Sequence, residues 1–137
     1  MIPEIIARLQ SQVPSLKLVA GAAEYGAAAD TNPTAVPAAY VLRMSERGSE
    51  SLTQARVEQR VGVEIGVVLA LRNAADPLGA AANADLEALR ASVRTALLGW
   101  VASSCDPFIF GAGGLLAFRD GHLWWQDSFS TAYDISS

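Results

Sequence analysis

Residues 57–71 read Val57-Glu58-Gln59-Arg60-Val61-Gly62-Val63-Glu64-Ile65-Gly66-Val67-Val68-Leu69-Ala70-Leu71, and their alternation decides the fold. Val57, Gln59, Val61, Val63, Ile65, Val67, Leu69 and Leu71 share one parity, with Arg56, Glu58, Arg60, Gly62, Glu64 and Gly66 on the other. A strand turns successive side chains to opposite faces, so this period of two predicts one core face and one wet face. At about 3.3 Å per residue the run would reach about 50 Å, longer than a domain of this size readily pairs throughout. Either its beginning projects as an arm or the strand bends at Gly62 or Gly66.

Upstream, Ile2, Ile5, Ile6, Leu9 and Val13 recur at three- and four-residue steps with Glu4, Arg8 and Gln12 opposite, and Pro14 ends the run. That spacing predicts a short amphipathic helix. Residues 16–20 read as a strand, and residues 21–34, rich in Ala and Gly and ending in Asn32-Pro33, as a loop with one helical turn. Tyr40, Val41 and Leu42 sit in a strand over residues 38–44, followed by a long exposed loop. Downstream, residues 73–83 read as a loop, and Leu86, Leu89, Val93 and Leu97 form one helical stripe. Asn83 can cap that helix and Gly99 can end it, while Asp76 with Pro77 in the first turn is a competing earlier start.

The remainder is β-rich, with strands over residues 108–110, 115–118 and 122–135. The two-residue turn Asp120-Gly121 joins the last two, and both of its residues must accept positive φ. In the last strand Leu123, Trp125, Phe129, Tyr133 and Ile135 share one face, and Trp124, Gln126, Ser128 and Ser130 the other. The order predicts an α+β fold: a mostly antiparallel sheet of roughly four to six strands, with two main helices packed on one face.

The chain has 137 residues, 51% apolar and 18% charged. That is one domain, residues 1–137, with enough apolar content for a core, which excludes a multidomain enzyme and charge-driven disorder. Fourteen acidic against ten basic residues, only one of them lysine, give a net charge of -4, so general attraction to phosphate backbones or anionic lipid is not expected. Uncharged stretches such as residues 31–42 and 107–118 fall short of the roughly 20 residues that span a bilayer. The N-terminus does not read as a secretory signal, and the one cysteine, Cys105, suits assembly in a reducing cytoplasm.

Catalytic motifs are weak. Cys105 with His122 and either Asp106 or Asp127 is the one available thiol set, but a lone cysteine after a helix is ordinarily a small buried filler. One cysteine and one histidine fall short of a zinc site. Gly111-Ala112-Gly113-Gly114 lacks the Lys-Ser/Thr that follows a phosphate loop and reads as a flexible strand connection. Glu58 with Glu64, or Asp127 with Asp134, do not stand out from solvated strand faces as acid/base pairs. No catalytic, metal or cofactor-binding residue is assigned, and no cofactor is expected.

Two features point instead to contact surfaces. If Trp125 joins the core, Trp124 lies on the opposite sheet face, either exposed as a contact residue or covered by a segment such as residues 21–34. The long strand and the loop at its base, residues 45–55, carry Glu46, Arg47, Glu50, Arg56, Glu58 and Arg60, a mixture of signs suited to pairing with a copy of the same chain. The candidate interface residues are Arg47, Arg56, Glu58, Arg60, Trp124 and Gln126.

The strand Ala39-Tyr40-Val41-Leu42, the run from Gln59-Arg60-Val61 into Val67-Val68-Leu69, Asn73 with Asp76 and Gly79, the helix end Leu97-Leu98-Gly99-Trp100 and the segment Leu123-Trp124-Trp125-Gln126-Asp127-Ser128-Phe129-Ser130-Thr131 together resemble the tail-terminator proteins of long-tailed bacteriophages. The likeness covers most of the chain. It departs after Trp100, where Val101-Ala102-Ser103-Ser104-Cys105 stands in place of a proline-rich stretch.

The resemblance implies a non-enzymatic ring, usually of six copies, at the head-proximal end of the virion tail. Such a ring caps the tail tube, stops its polymerisation and presents a surface to the head or neck. Its implied partners are further copies of itself, the major tail-tube protein and a head-completion or neck protein. No membrane and no specific nucleic acid is implied, although genome DNA passes through the lumen, for which a net acidic chain is suited. A head-tail joining or adaptor ring subunit of the neck is the competing class.

Overall fold

In the computed structural model, which describes residues 1–72 and 80–137 with the side chains of residues 80–82 excepted, eight elements follow one another. They are α1 (Ile2–Gln12), β1 (Leu18–Ala20), α2 (Ala22–Thr31), β2 (Ala38–Gly48), β3 (Glu58–Arg72), α3 (Ala80–Leu97), β4 (Ile109–Arg119) and β5 (His122–Ser136). The strands form one five-stranded sheet in the order β1-β2-β3-β5-β4. Every neighbouring pair is antiparallel except β1 with β2. The α+β class holds and the sheet is mostly antiparallel, made mixed by the one parallel pair, with three helices in place of the expected two.

The third helix is the main correction. Residues 21–34 were expected as a loop, yet residues 22–31 form α2. Two causes are local: alanine is the best helix former, and the Glu24 carboxylate accepts a hydrogen bond from the Gly21 N–H at 3.2 Å at the helix start. The third is topological. Parallel strands cannot be joined by a tight turn, so the parallel β1–β2 pair needs a crossover segment, which α2 supplies.

β3 pairs along its whole length. Its register with β5 runs unbroken from Glu58 opposite Ser136 to Arg72 opposite His122. No register break falls at Gly62 or Gly66 on this side, and β5, equally long, supplies the pairing that an arm would have lacked. The irregularity falls on β2 instead, between Arg43 and Ser45. A Cβ on Gly66 would stand 2.6 Å from the Met44 thioether sulfur, so glycine leaves room for the bulged residue. β2 also continues to Gly48, taking in residues expected in the loop.

The odd-numbered face of β3, with Val63, Ile65, Val67 and Leu69, packs with Leu123 and Phe129 of β5 against Ile5 and Leu9 of α1 and Leu86, Leu89, Val93 and Leu97 of α3. The stripes read from the sequence are thus the buried ones. α3 runs through Asn83, which is exposed inside the helix and does not cap it. The alternative start at Asp76 and Pro77 lies outside the described residues. At the other end Gly99, at φ +75°, adopts the left-handed conformation that lets the chain leave the helix.

On the opposite face Ala38, Tyr40, Val68, Ala70 and Trp124 form a second, smaller core closed by Tyr25 and Ala28 of α2. Strand parity is as the sequence indicates, since Trp124 and Trp125 point to opposite faces. Burial depth is not: Trp124 is only 2% exposed, while Trp125 is half-buried. The Asp120-Gly121 turn has φ values of +51° and +70°, as a two-residue hairpin of this kind demands.

Trp124 lies near-parallel to Tyr40 at 6.2 Å, with Tyr25 edge-on to it at 6.2 Å. Trp124→Ala removes the centre of that cluster and is expected to cost about 3–5 kcal/mol. Urea unfolding checks this, and an unchanged midpoint would show that α2 does not seal the second core.

Candidate functional site

The six candidate interface residues do not form one site. Arg47, exposed on β2, lies opposite Gly62, while Glu58 and Arg60 lie opposite Ser136 and Asp134 of β5. Arg56 and Glu58 form an ion pair with each other. Arg60 is bound on two sides, by Asp106 and by Asp134 Oδ1 at 2.9 Å. The hydrogen bond it donates to Asp106, with that to Asp134 behind it, raises the pKa of its guanidinium. Arg47 forms no ion pair among the described residues.

Gln126 stands at the level of Val68, whereas Arg47 stands at the level of Ala132, about 20 Å away along the strands. Its amide Nε2 donates to the Met44 sulfur at 3.4 Å. Trp124, weighed as either exposed or covered, is covered and offers no contact surface.

Geometry separates the one possible thiol set. The Asp106 N–H donates to the Ala132 carbonyl, which places Cys105 ten residues along β5 from His122, or about 33 Å. Burial, with Glu4 nearby, pushes the Cys105 thiol pKa up, and its S–H donates to the Ser103 carbonyl at 3.2 Å. That is the opposite of an activated nucleophile. Glu4 accepts the N–H and hydroxyl of Ser103 at 3.1 and 2.8 Å, and these bonds hold its carboxyl below the usual value. No group of three metal-ligating side chains converges among the described residues. A cleft of about 500 Å³ between α3 and the sheet is lined by Ser15, Pro37, Arg72, Asp85, Leu89 and Ser92, among others, without a nucleophile and base set together.

A charged cluster that the sequence did not single out lies where α3 meets β5. Asp127 is 1% exposed, and Arg90 reaches it with two donors, Nη2 to Oδ1 at 3.0 Å and Nε to Oδ2 at 3.1 Å. The indole N–H of Trp125 donates to the same Oδ1 at 2.9 Å, and the Arg90 guanidinium lies 4.6 Å from the Trp125 ring centroid. A Cβ on Gly113 would meet Asp127 Oδ1 at 2.5 Å and Arg90 Nη2 at 2.9 Å. Residues 111–114 are part of β4 instead of a flexible connection, and Gly113 lets the strand close over this cluster. Asp127 had stood out only as a weak acid/base candidate, because nothing in one sequence links it to Arg90.

The largest group of exposed apolar side chains on one element among the described residues is on β4. Ile109 is 63%, Leu115 59% and Phe118 54% exposed, with Phe110 and Leu116 beside them. β4 pairs only with β5 among the described residues, so its outer edge is open. The outer edge of β2 is open too beyond Tyr40, where pairing with β1 stops. The sequence signal was the uncharged stretch over residues 107–118, which bore only on membrane spanning.

Open sheet edges and a charged strand end define a small α+β protein whose exposed chemistry suits assembly. The chain belongs to the phage tail terminator protein family, whose sequence profile matches residues 2–137. It is accordingly a structural protein of a phage tail and a virion component. Its fold is similar to a chain of the structure titled "Virion of native gene transfer agent (GTA) particle", with a TM-score of 0.53 at 12% identity, over 96% of this chain and 84% of that one. No curated protein matches.

Arg90→Ala leaves Asp127 buried without its counter-charge and is expected to destabilise the fold by about 3–5 kcal/mol. Arg90→Met with Asp127→Leu should recover most of that loss. Chemical denaturation of the single and double variants checks both expectations, and an additive double variant would show that the two residues are not coupled.

Proposed function

We propose that the chain is the subunit of a closed ring, of six copies, that caps the head-proximal end of the tail tube, ends tube polymerisation and offers the attachment surface for the head or neck. The family match over residues 2–137 carries this reading. The surface supports it, because a ring is held by two different patches on each copy and the sheet has two different open edges. Self, the major tail-tube protein and a neck protein are the partners in this reading, assembly takes place in the host cytoplasm, and genome DNA passes through the lumen without sequence recognition. The strand end bearing Arg47, Arg56, Glu58 and Arg60 is part of the surface between copies.

The test adds the purified protein to polymerising major tail-tube protein from the same phage and measures tube length and tube ends by negative stain. Tubes capped at one end by a ring, and arrested in length as the added protein increases, are the expected result. Rings that bind head particles and ignore tube ends would move the protein to the head-tail joining class.

A further inference from the structure

We propose that neighbouring copies join their sheets edge to edge, β4 of one copy against residues 43–48 of β2 in the next, so that the joined sheet becomes the wall of the ring. The inference deepens the ring reading and rests on it.

Strand direction permits the pairing. Since β2, β3, β5 and β4 alternate in sense, β4 runs opposite to β2. Copies related by rotation around a ring preserve that relation, so β4 meets the next β2 antiparallel, as within the sheet. Pairing β4 with the β4 of a second copy would use the same edge twice, close at two copies and leave the β2 edge bare.

The stagger of the two edges fits a closed wall. Through the ladders, residues 43–48 of β2 stand level with residues 129–133 of β5, while β4 stands level with residues 122–130. The centres differ by about five residues, or about 17 Å along the strands, against about 19 Å across four strands. Joining the edges then tilts the strands about 41° from the ring axis, inside the roughly 35–45° that closed sheets adopt. Six copies at about 26 Å each give a wall about 50 Å across. β1 does not obstruct the contact, because it occupies β2 only at residues 38–40.

Edge chemistry agrees. Residues 109–118 contain no charge and no proline, two of the devices that keep free edges from pairing. The bulges of β4, between Phe110 and Gly113 and between Leu115 and Ala117, bend the strand as curved sheets require. The faces then sort by volume. α1 and α3 fill one face and belong on the wider outside, while the other face, beyond the reach of α2, presents Gly62, Glu64, Gln126 and Ser130 inward.

A cysteine scan tests the contact. In a Cys105→Ser background, Ile109→Cys, Leu115→Cys and Leu116→Cys are each combined with Ser45→Cys or Arg47→Cys, and rings, free or on tube ends, are oxidised and run on non-reducing gels. Antiparallel neighbours lie within disulfide reach. At least one combination is expected to give a ladder ending at the ring size, with each single-cysteine variant remaining monomeric. Leu115→Lys with Leu116→Lys should keep the thermal midpoint and lower the ring fraction at least tenfold. Rings without a ladder in any combination, or dimers from a single β4 cysteine, overturn the contact and leave the ring reading standing. A protein that forms no ring, free or on tube ends, overturns both.

Discussion

The structure depends on the unbroken ladder between β3 and β5. Fifteen consecutive pairs, from Glu58 with Ser136 to Arg72 with His122, fix which side chains of both strands share a face. A slip of one residue would carry Ile65, Val67 and Leu69 to the α2 side and bring Glu64, Gly66 and Val68 under α1 and α3. The two strands also differ in what flanks them. β3 carries β2 and β5 carries β4, so the central ladder sets the height at which each outer strand presents its edge.

The two cores around that ladder are unequal, and the inequality shapes the surface. The α1 and α3 side is continuous, from Val61 to Leu71 along β3. The other side is sealed only around Tyr40, Val68 and Trp124, where α2 crosses. Past α2 the sheet face is left to small and polar residues and the exposed Met44. Beside β4, the Arg90–Asp127 pair ties α3 to β5, and the Trp125 indole bonds the same carboxylate. A buried ion pair fixes geometry through directional bonds whether or not it adds net stability, and here it fixes α3 against β5.

What was legible in the sequence follows from range. The stripe Leu86, Leu89, Val93 and Leu97 emerges as read, and so does the core face of residues 61–71, but the face expected to be wet is buried at Gly66, Val68 and Ala70, the last two because α2 and Trp124 cover them. Residues 21–34 misled because their helix has small side chains and one aromatic, so no periodic stripe marks it, and the parallel pairing that requires the crossover is made with a distant strand. Trp124 shows the same limit: parity placed it on the far face, but only the fold could say that α2 lies over it. Arg90 and Asp127 are 37 positions apart on different elements, and no local pattern joins them. Of the mixed-charge segment, Glu46 and Arg47 lie on β2 and not in the expected loop, and Arg60 is engaged by Asp106 and Asp134 of its own chain.

In the proposed ring, recognition resides in edges and not in a cavity. A cavity that binds a ligand needs convergent polar groups, whereas Cys105 and His122 lie at opposite ends of β5 and the acids Asp106, Asp127 and Asp134 are each held by an arginine. An open strand is different, since its backbone donors and acceptors are a binding surface whatever its side chains. Side chains then decide which partner is admitted. β4 offers an apolar edge bent by two bulges, and β2 offers a charged one whose Arg43, Glu46 and Arg47 stay solvated. In the proposed ring, two unlike edges at different heights on one ladder favour propagation from copy to copy over a closed pair, and the tilt set by their offset turns propagation into closure.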